Sequence, residues 1–282
     1  MREGRRIKTI DPINLMIPFI MPHRSGASNL FEATMDITEA EKYLREKRLS
    51  GQANISMMHV FMAAYVRVVS QLPGINRFIR GQRIYARNGI TISLTIKKNM
   101  ALDAQETVVQ VAADPKDTLN NVYDKLNALV EENKVEGDTN GTDTLAKFLC
   151  MIPRVFLKLV VWFLKTLDYF GWMPRFVTRL SPFHGSMFIT NVGSLGIDAI
   201  YHHLYDFGNI PVFISMGKKK NVLELNDEGE IVKKKAISIT VVTDERICDG
   251  HYYAEAFKQI RKYIEKPWLL ENPPETVVED VK

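Results

Sequence analysis

Cysteine is nearly absent: Cys150 and Cys248 are the two in 282 residues. Neither belongs to a CxxC pair or sits near a histidine cluster, which excludes a disulfide scaffold and a thiolate zinc framework. A reducing cytoplasm is therefore the expected setting. Long apolar runs are also missing. The stretch Asn14–Met21 is short and interrupted by Pro18, which argues against a signal peptide or an anchor. Charge of one sign is scarce as well. The 37 Lys and Arg against 33 Asp and Glu leave +4, too mild to point to nucleic acid. No internal repeat is evident. What remains is a chain of 46% hydrophobic and 25% charged residues, ordinary for a soluble globular protein and long enough to bury a core without staples. We read residues 1–282 as a single domain.

The most informative stretch is Ile237–Tyr253. Ile237, Ile239, Val241 and Thr243 alternate with Ser238, Thr240 and Val242, the period of a β-strand. Asp244-Glu245-Arg246-Ile247-Cys248-Asp249-Gly250 breaks that pattern. Beyond His251 a helical rhythm follows, with Ala254, Phe257, Ile260 and Ile264 on one face. The unit is strand, tight connection, helix, with polar residues gathered where they can be aimed into a cleft.

Asp244-x-Arg246-x-x-Asp249-Gly250 resembles the signature of the acyltransferase core of 2-oxoacid dehydrogenase complexes and of chloramphenicol acetyltransferase. The family motif is His-x-x-x-Asp-Gly, its histidine being the general base. Glu245 stands at the histidine position here. A second segment, Gly185–Gly196, resembles the family's Gly-Thr-Phe-Thr-Ile-Ser-Asn-Leu-Gly. Thr190 occupies the place of the serine that donates to the oxyanion, and Asn191 follows it. The resemblance runs roughly from Asn14 to Pro267 with an insertion set aside. It implies a two-layer α/β sandwich: a mixed sheet with helices on one face, plus the helical insertion.

Along the chain, Leu30–Ile37 reads as a strand, and Thr38 with Glu41 as a capping box opening a helix to about Lys47. A second helix follows Asn54 and ends before Pro73. Arg83–Arg87 and Ile90–Ile96 read as two strands joined by a hairpin signal at Asn88-Gly89. Asp117–Glu132 is helical, and 135–144 is a loop by composition. Residues 143–182 form an amphipathic helical insertion. Phe148, Ile152, Val155, Phe156, Leu159, Phe163 and Leu167 make an apolar stripe beside a basic one of Lys147, Arg154, Lys158 and Lys165. Residues 145–180 can lie on an anionic membrane surface, wall a pocket for an acyl chain, or pack on the core or a neighbouring subunit. Residues 268–282 read as a C-terminal arm.

Acyl transfer needs a base and an oxyanion donor. Thr190 suits the donor, and Glu245, Asp249 and His251 are the candidates at the motif turn. Asn191, His202 and His203 are candidates for substrate binding, and either histidine is also a conceivable replacement base. Adjacent histidines diverge too far to bind one metal, so none is expected. Lys218, Lys219 and Lys220, with Lys233–Lys235 across a hairpin, can attract coenzyme A phosphates or simply protect a sheet edge. The resemblance implies an acyl-coenzyme A donor, a small acceptor and a homotrimer whose site lies between subunits. No lipoyl domain is expected in this chain. The reading from another class is a catalytically silent trimeric module for assembly or ligand binding.

Overall fold

The computed structural model describes residues 3–97, 106–133, 151–226 and 228–282. The sequence-predicted loop at 135–144, residues 145–150 of the insertion, and Asp227 lie outside the described residues. A six-stranded sheet forms the centre. Across it run β2 (Ser28–Asp36), β9 (Ile231–Asp244), β8 (Val212–Leu225), β7 (Met187–Asn191), β5 (Ile90–Lys97) and β6 (Glu106–Ala113). β7 is parallel to both its neighbours, whereas the remaining pairs are antiparallel. The sheet is therefore mixed.

One face carries the helices. These are α2 (Thr38–Leu49), α3 (Met57–Gln71), α4 (Leu119–Asn133) and, near the C-terminus, Gly250–Glu265. Thirteen of the fifteen residues of α3 are buried, including Val60, Phe61, Ala64 and Val68. A helix that is mostly apolar and buried nearly all round belongs at the centre of a core, and its His59, Arg67 and Ser70 are buried with it. α3 packs between the sheet residues Ile92, Ile189, Ile214 and Ile239 and the outer helices. The architecture is the two-layer α/β sandwich expected from the sequence.

A second, three-stranded sheet joins β1 (Gly4–Arg6), β4 (Arg83–Arg87) and β3 (Phe78–Arg80). Here the sequence reading needs correction. Arg83–Arg87 and Ile90–Ile96 are strands, but the turn at Asn88-Gly89 carries the chain from the small sheet into the large one. The actual hairpin is β3–β4, with Arg80 opposite Arg83. Its two-residue loop, Gly81 (φ 54°) and Gln82 (φ 57°), has the left-handed pair that matches strand twist.

The capping box at Thr38 is corrected too. Ile37 is the cap residue of α2, and the Thr38 hydroxyl accepts from the Lys235 backbone instead. Glu41 turns to Lys219 and Lys235. A capping box does occur one helix later, between Ser56 and His59. In the C-terminal helix the buried face is Tyr253, Ala256, Ile260 and Ile264, and Ala254 is exposed. The tail after Pro267 does not leave the body. Val278 N–H donates to the Ser70 carbonyl, and Arg77 grips the Asp280 carboxylate at 2.8 and 2.5 Å.

The remaining helices are α1 (Pro12–Ile20), α5 (Arg154–Phe170), α6 (Arg175–Leu180) and the C-terminal helix, α7. Two of these, α5 and α6, lie within residues 151–182. No helix among the described residues is long and apolar enough to cross a membrane.

Candidate functional site

β7 alternates cleanly. Met187 and Ile189 enter the helical core, which sends Phe188 and Thr190 to the opposite face. Thr190 lies in register with Ser215 on β8 and, through it, with Thr240 on β9. After Asn191 the chain turns through Val192–Leu195. That turn lies close on β8, because a Cβ on Gly193 would stand 2.2 Å from the Gly217 carbonyl oxygen. Gly217 is equally confined, with Ala199 N at 2.3 Å from its own ideal Cβ position.

The segment 197–209 crosses this face of the sheet. Ile200 N–H donates to the Ser215 hydroxyl at 3.4 Å, and the Thr240 hydroxyl donates to the Ile200 carbonyl at 2.5 Å. His202 is thereby laid flat on Phe213, with ring centroids 4.3 Å apart and planes 10° apart. Phe213 in turn stacks on Phe188 at 4.8 Å. The result is a crevice of about 580 Å³ at the C-terminal ends of β5 and β7, lined by Thr95, Phe188, Thr190, Asn191, Ser194 and His202, among others. Burial, then the neighbouring His203, holds His202 below the usual imidazole pKa. The crevice thus joins a hydroxyl, an amide and a neutral-leaning imidazole on an aromatic floor. His203 does not share it: its ring meets Tyr205 edge-on at 5.3 Å, and the residue is exposed.

The motif turn is built differently. Arg246 closes on Asp244 and also donates to the carbonyls of Met21 and Pro22. Arg24 approaches the same carboxylate at 3.4 Å and donates to the carbonyls of Tyr205 and Gly208. All three side chains are buried. Nothing in the sequence singles out Arg24. A single arginine in an irregular segment has no periodicity to mark it.

Asp249 pairs with neither arginine. Its carboxylate caps α7 by accepting from Tyr252 N–H at 2.8 Å. His251 is exposed in the first turn of that helix. Glu245 is exposed, and its backbone N–H donates to the Ala27 carbonyl. It sits five residues beyond Thr240, two strands from Thr190. Ordinary sheet spacings put it about 17 Å along and about 10 Å across from Thr190. One chain does not bring the two together. Of the lysines, Lys219 is engaged by Glu41 at 2.6 Å and Lys220 by Asp198 at 2.8 Å. Both are already neutralised by carboxylates of their own chain. No group of three His, Cys, Asp or Glu side chains is placed to hold a metal ion among the described residues.

Comparison with known proteins agrees with this architecture. Residues 179–271 match the family model for 2-oxoacid dehydrogenases acyltransferase (catalytic domain). A probable dihydrolipoamide acetyltransferase from Listeria monocytogenes superposes with a TM-score of 0.58 at 13% identity, over 93% of this chain and 95% of that one. The dihydrolipoamide acetyltransferase of Azotobacter vinelandii, whose catalytic mechanism was probed at a serine, a histidine and an asparagine, gives 0.59 at 12% identity, over 92% and 88%. A chloramphenicol acetyltransferase gives 0.55 at 11% identity, over 92% and 99%. No curated protein matches the chain in sequence. The chain therefore has the chloramphenicol acetyltransferase-like fold of the 2-oxoacid dehydrogenase acyltransferase core, and its segment 179–271 carries that family's catalytic-domain pattern.

Proposed function

We propose that this protein transfers an acyl group from a coenzyme A thioester to a small acceptor, using altered catalytic residues. The observation that carries this reading is the convergence of Thr190, Asn191 and His202 on one crevice. In the reaction, the base takes the proton of the acceptor's hydroxyl or thiol. The freed nucleophile attacks the thioester carbonyl, and the oxyanion accepts a hydrogen bond from the Thr190 hydroxyl. Collapse of the tetrahedral intermediate breaks the carbon–sulfur bond, and the proton held by the base passes to the departing thiolate.

His202 is the base that the chain itself brings near Thr190. Glu245 is the second candidate, and its exposure at the end of β9 favours service to another copy. The family resemblance supports a homotrimer in which Glu245 of one subunit faces Thr190 of the next. Asp249 then holds the motif turn by capping α7, and His251 stands at its rim. The thioester end suits the crevice. The engaged Lys219 and Lys220 argue that the phosphates of coenzyme A are held elsewhere. Separately from the chemistry, we propose a cytoplasmic protein with a peripheral membrane contact through residues 145–180.

Turnover of acyl-coenzyme A by purified protein tests this proposal. Loss of a base costs about 10²–10⁴-fold, so His202→Ala and Glu245→Gln identify which one serves. Thr190→Val is expected to cost about 10²–10³-fold. Absence of turnover with acyl-coenzyme A donors favours the silent, assembly-type relative.

A further inference from the structure

Helix α5 is apolar on two sides, and its own chain uses one of them. Leu157, Val160, Leu164 and Leu167 follow a helical stripe and are half-buried against the body. A second stripe is turned outward: Val155, Phe156, Leu159, Trp162, Phe163 and Phe170 are each 50–77% exposed. At about 200 Å² per large side chain, this surface amounts to roughly 700 Å², somewhat more than the largest patch on ordinary soluble monomers. Trp172 and Phe176 extend it past the helix, 69% and 66% exposed. Two of the chain's three tryptophans lie in this segment.

The charge carried by the helix around that face is mainly positive. Arg154, Lys158 and Lys165 share a narrow stripe beside Trp162, following the helical repeat. Arg175 and Arg179, together with Trp172, Arg80 and the Glu3 carboxylate that pairs with Arg80, line a hollow of about 600 Å³ at the C-terminal end of the helix. From Met151 to Leu180 there are five cations and one carboxylate. That carboxylate, Asp168, is turned inward to Arg80 at 3.3 Å and His184 at 3.4 Å. The Tyr169 hydroxyl donates to Gln82. These contacts hold the helix to the body while its aromatic face stays outward.

We infer that residues 154–179 form a docking face for the headgroup region of an anionic phospholipid bilayer. Phe156, Leu159, Trp162 and Phe163 enter the acyl boundary, and the flanking lysines and arginines meet lipid phosphates. A soluble acidic partner would match the cations but not the aromatic stripe. A bilayer matches both. This inference rests on the peripheral membrane contact proposed above and names its lipid class. It does not depend on acyl transfer.

Flotation of the full chain with vesicles tests it, using phosphatidylcholine alone and phosphatidylcholine mixed with phosphatidylglycerol. Flotation with the mixed vesicles is expected. Lys158→Glu/Lys165→Glu should weaken it about tenfold or more, and Trp162→Ser/Phe163→Ser should abolish it. The mass by light scattering should not change, since these side chains are exposed. Equal flotation with both vesicles would overturn anionic selection while leaving the peripheral contact standing. Flotation with neither would overturn both. A change of mass in Trp162→Ser/Phe163→Ser would assign the face to contact between copies. Failure of acyl turnover bears on none of these outcomes.

Discussion

Arg246 holds the carboxylate of Asp244, two residues before it, in a two-pronged grip with Nε–Oδ1 and Nη2–Oδ2 both 2.8 Å. The arginine of the family motif is thus occupied inside the fold, and the intervening Glu245 is left pointing outward. Removing one partner of a buried pair strands the other, which typically costs about 3–5 kcal/mol. Arg246→Met should destabilise by that order in denaturant titration, with Arg24 compensating in part. The double change Arg246→Met/Asp244→Asn should cost less than the two single changes summed. Strict additivity would mean that the pair contributes no coupling.

The close approach of Gly193 to Gly217 sets the wall of the crevice. Gly193→Ala places a methyl group 2.2 Å from a backbone oxygen, so the turn after Asn191 has to move. Stability should fall by about 1–3 kcal/mol, and substrate turnover should fall further than stability alone explains. A variant that keeps both would show that this turn does not position Thr190.

His59 provides a pH signature of the fold. Burial is the largest influence and lowers its pKa to about 4, from the usual imidazole value of 6.5. The unfolded chain therefore takes up this proton first as the medium acidifies. Stability is complete above the unfolded value of about 6.5, falls as pH drops toward 4, and levels below it. The loss from this group is about 3 kcal/mol. Replacing His59 with Gln should flatten that portion of the stability-against-pH curve, as measured by urea midpoints.

The rate carries a second pH signature. His202 is held below the ordinary imidazole range by burial and by His203. If His202 is the base, the acid limb of kcat/KM should lie below about pH 6.5 and vanish in His202→Ala. His203→Ala should move that limb upward, because the neighbouring charge is gone. A limb unaffected by either change would point to Glu245 or to another group.

The C-terminal segment can be tested through Arg77 and Asp280, which are 10% and 7% exposed at their side chains. Asp280→Asn leaves Arg77 buried with half a partner and should cost about 3 kcal/mol. Proteolysis should then release the tail after Pro267 faster than in the parent protein. Unchanged protection would mean that the Val278 N–H bond to the Ser70 carbonyl and the Gln71 side-chain amide donating to the Thr276 carbonyl hold the tail unaided.

The sequence made the strands and the central helix readable because their side chains face one environment at a fixed period. Ile237, Ile239 and Val241 have no other way to bury together, and α3 is apolar over most of its surface. Pairing was less readable. Asn88-Gly89 has the chemistry of a hairpin, but its flanking strands find better partners in different sheets. Thr38 and Glu41 likewise have the spacing of a capping box, but long-range partners on β9 and β8 claim them. At the candidate site, Thr190 and Asn191 were legible through their neighbours in the strand. Arg24 and the stacking of His202 on Phe213 were not, since both come from irregular segments placed by contacts more than ten residues away in the chain.

The cluster of Arg24, Asp244 and Arg246 has a mechanical consequence. Arg24 holds the carbonyls of Tyr205 and Gly208 with one end of its fork and approaches Asp244 with its Nε. The segment bearing His202 and the strand end bearing Glu245 are therefore tethered to one rigid guanidinium. The end of β9 and the crevice floor at 202–208 thus share one anchor that does not run through any helix. Within one chain, a displacement of either element is passed to the other through that single side chain, with Arg24 as the pivot.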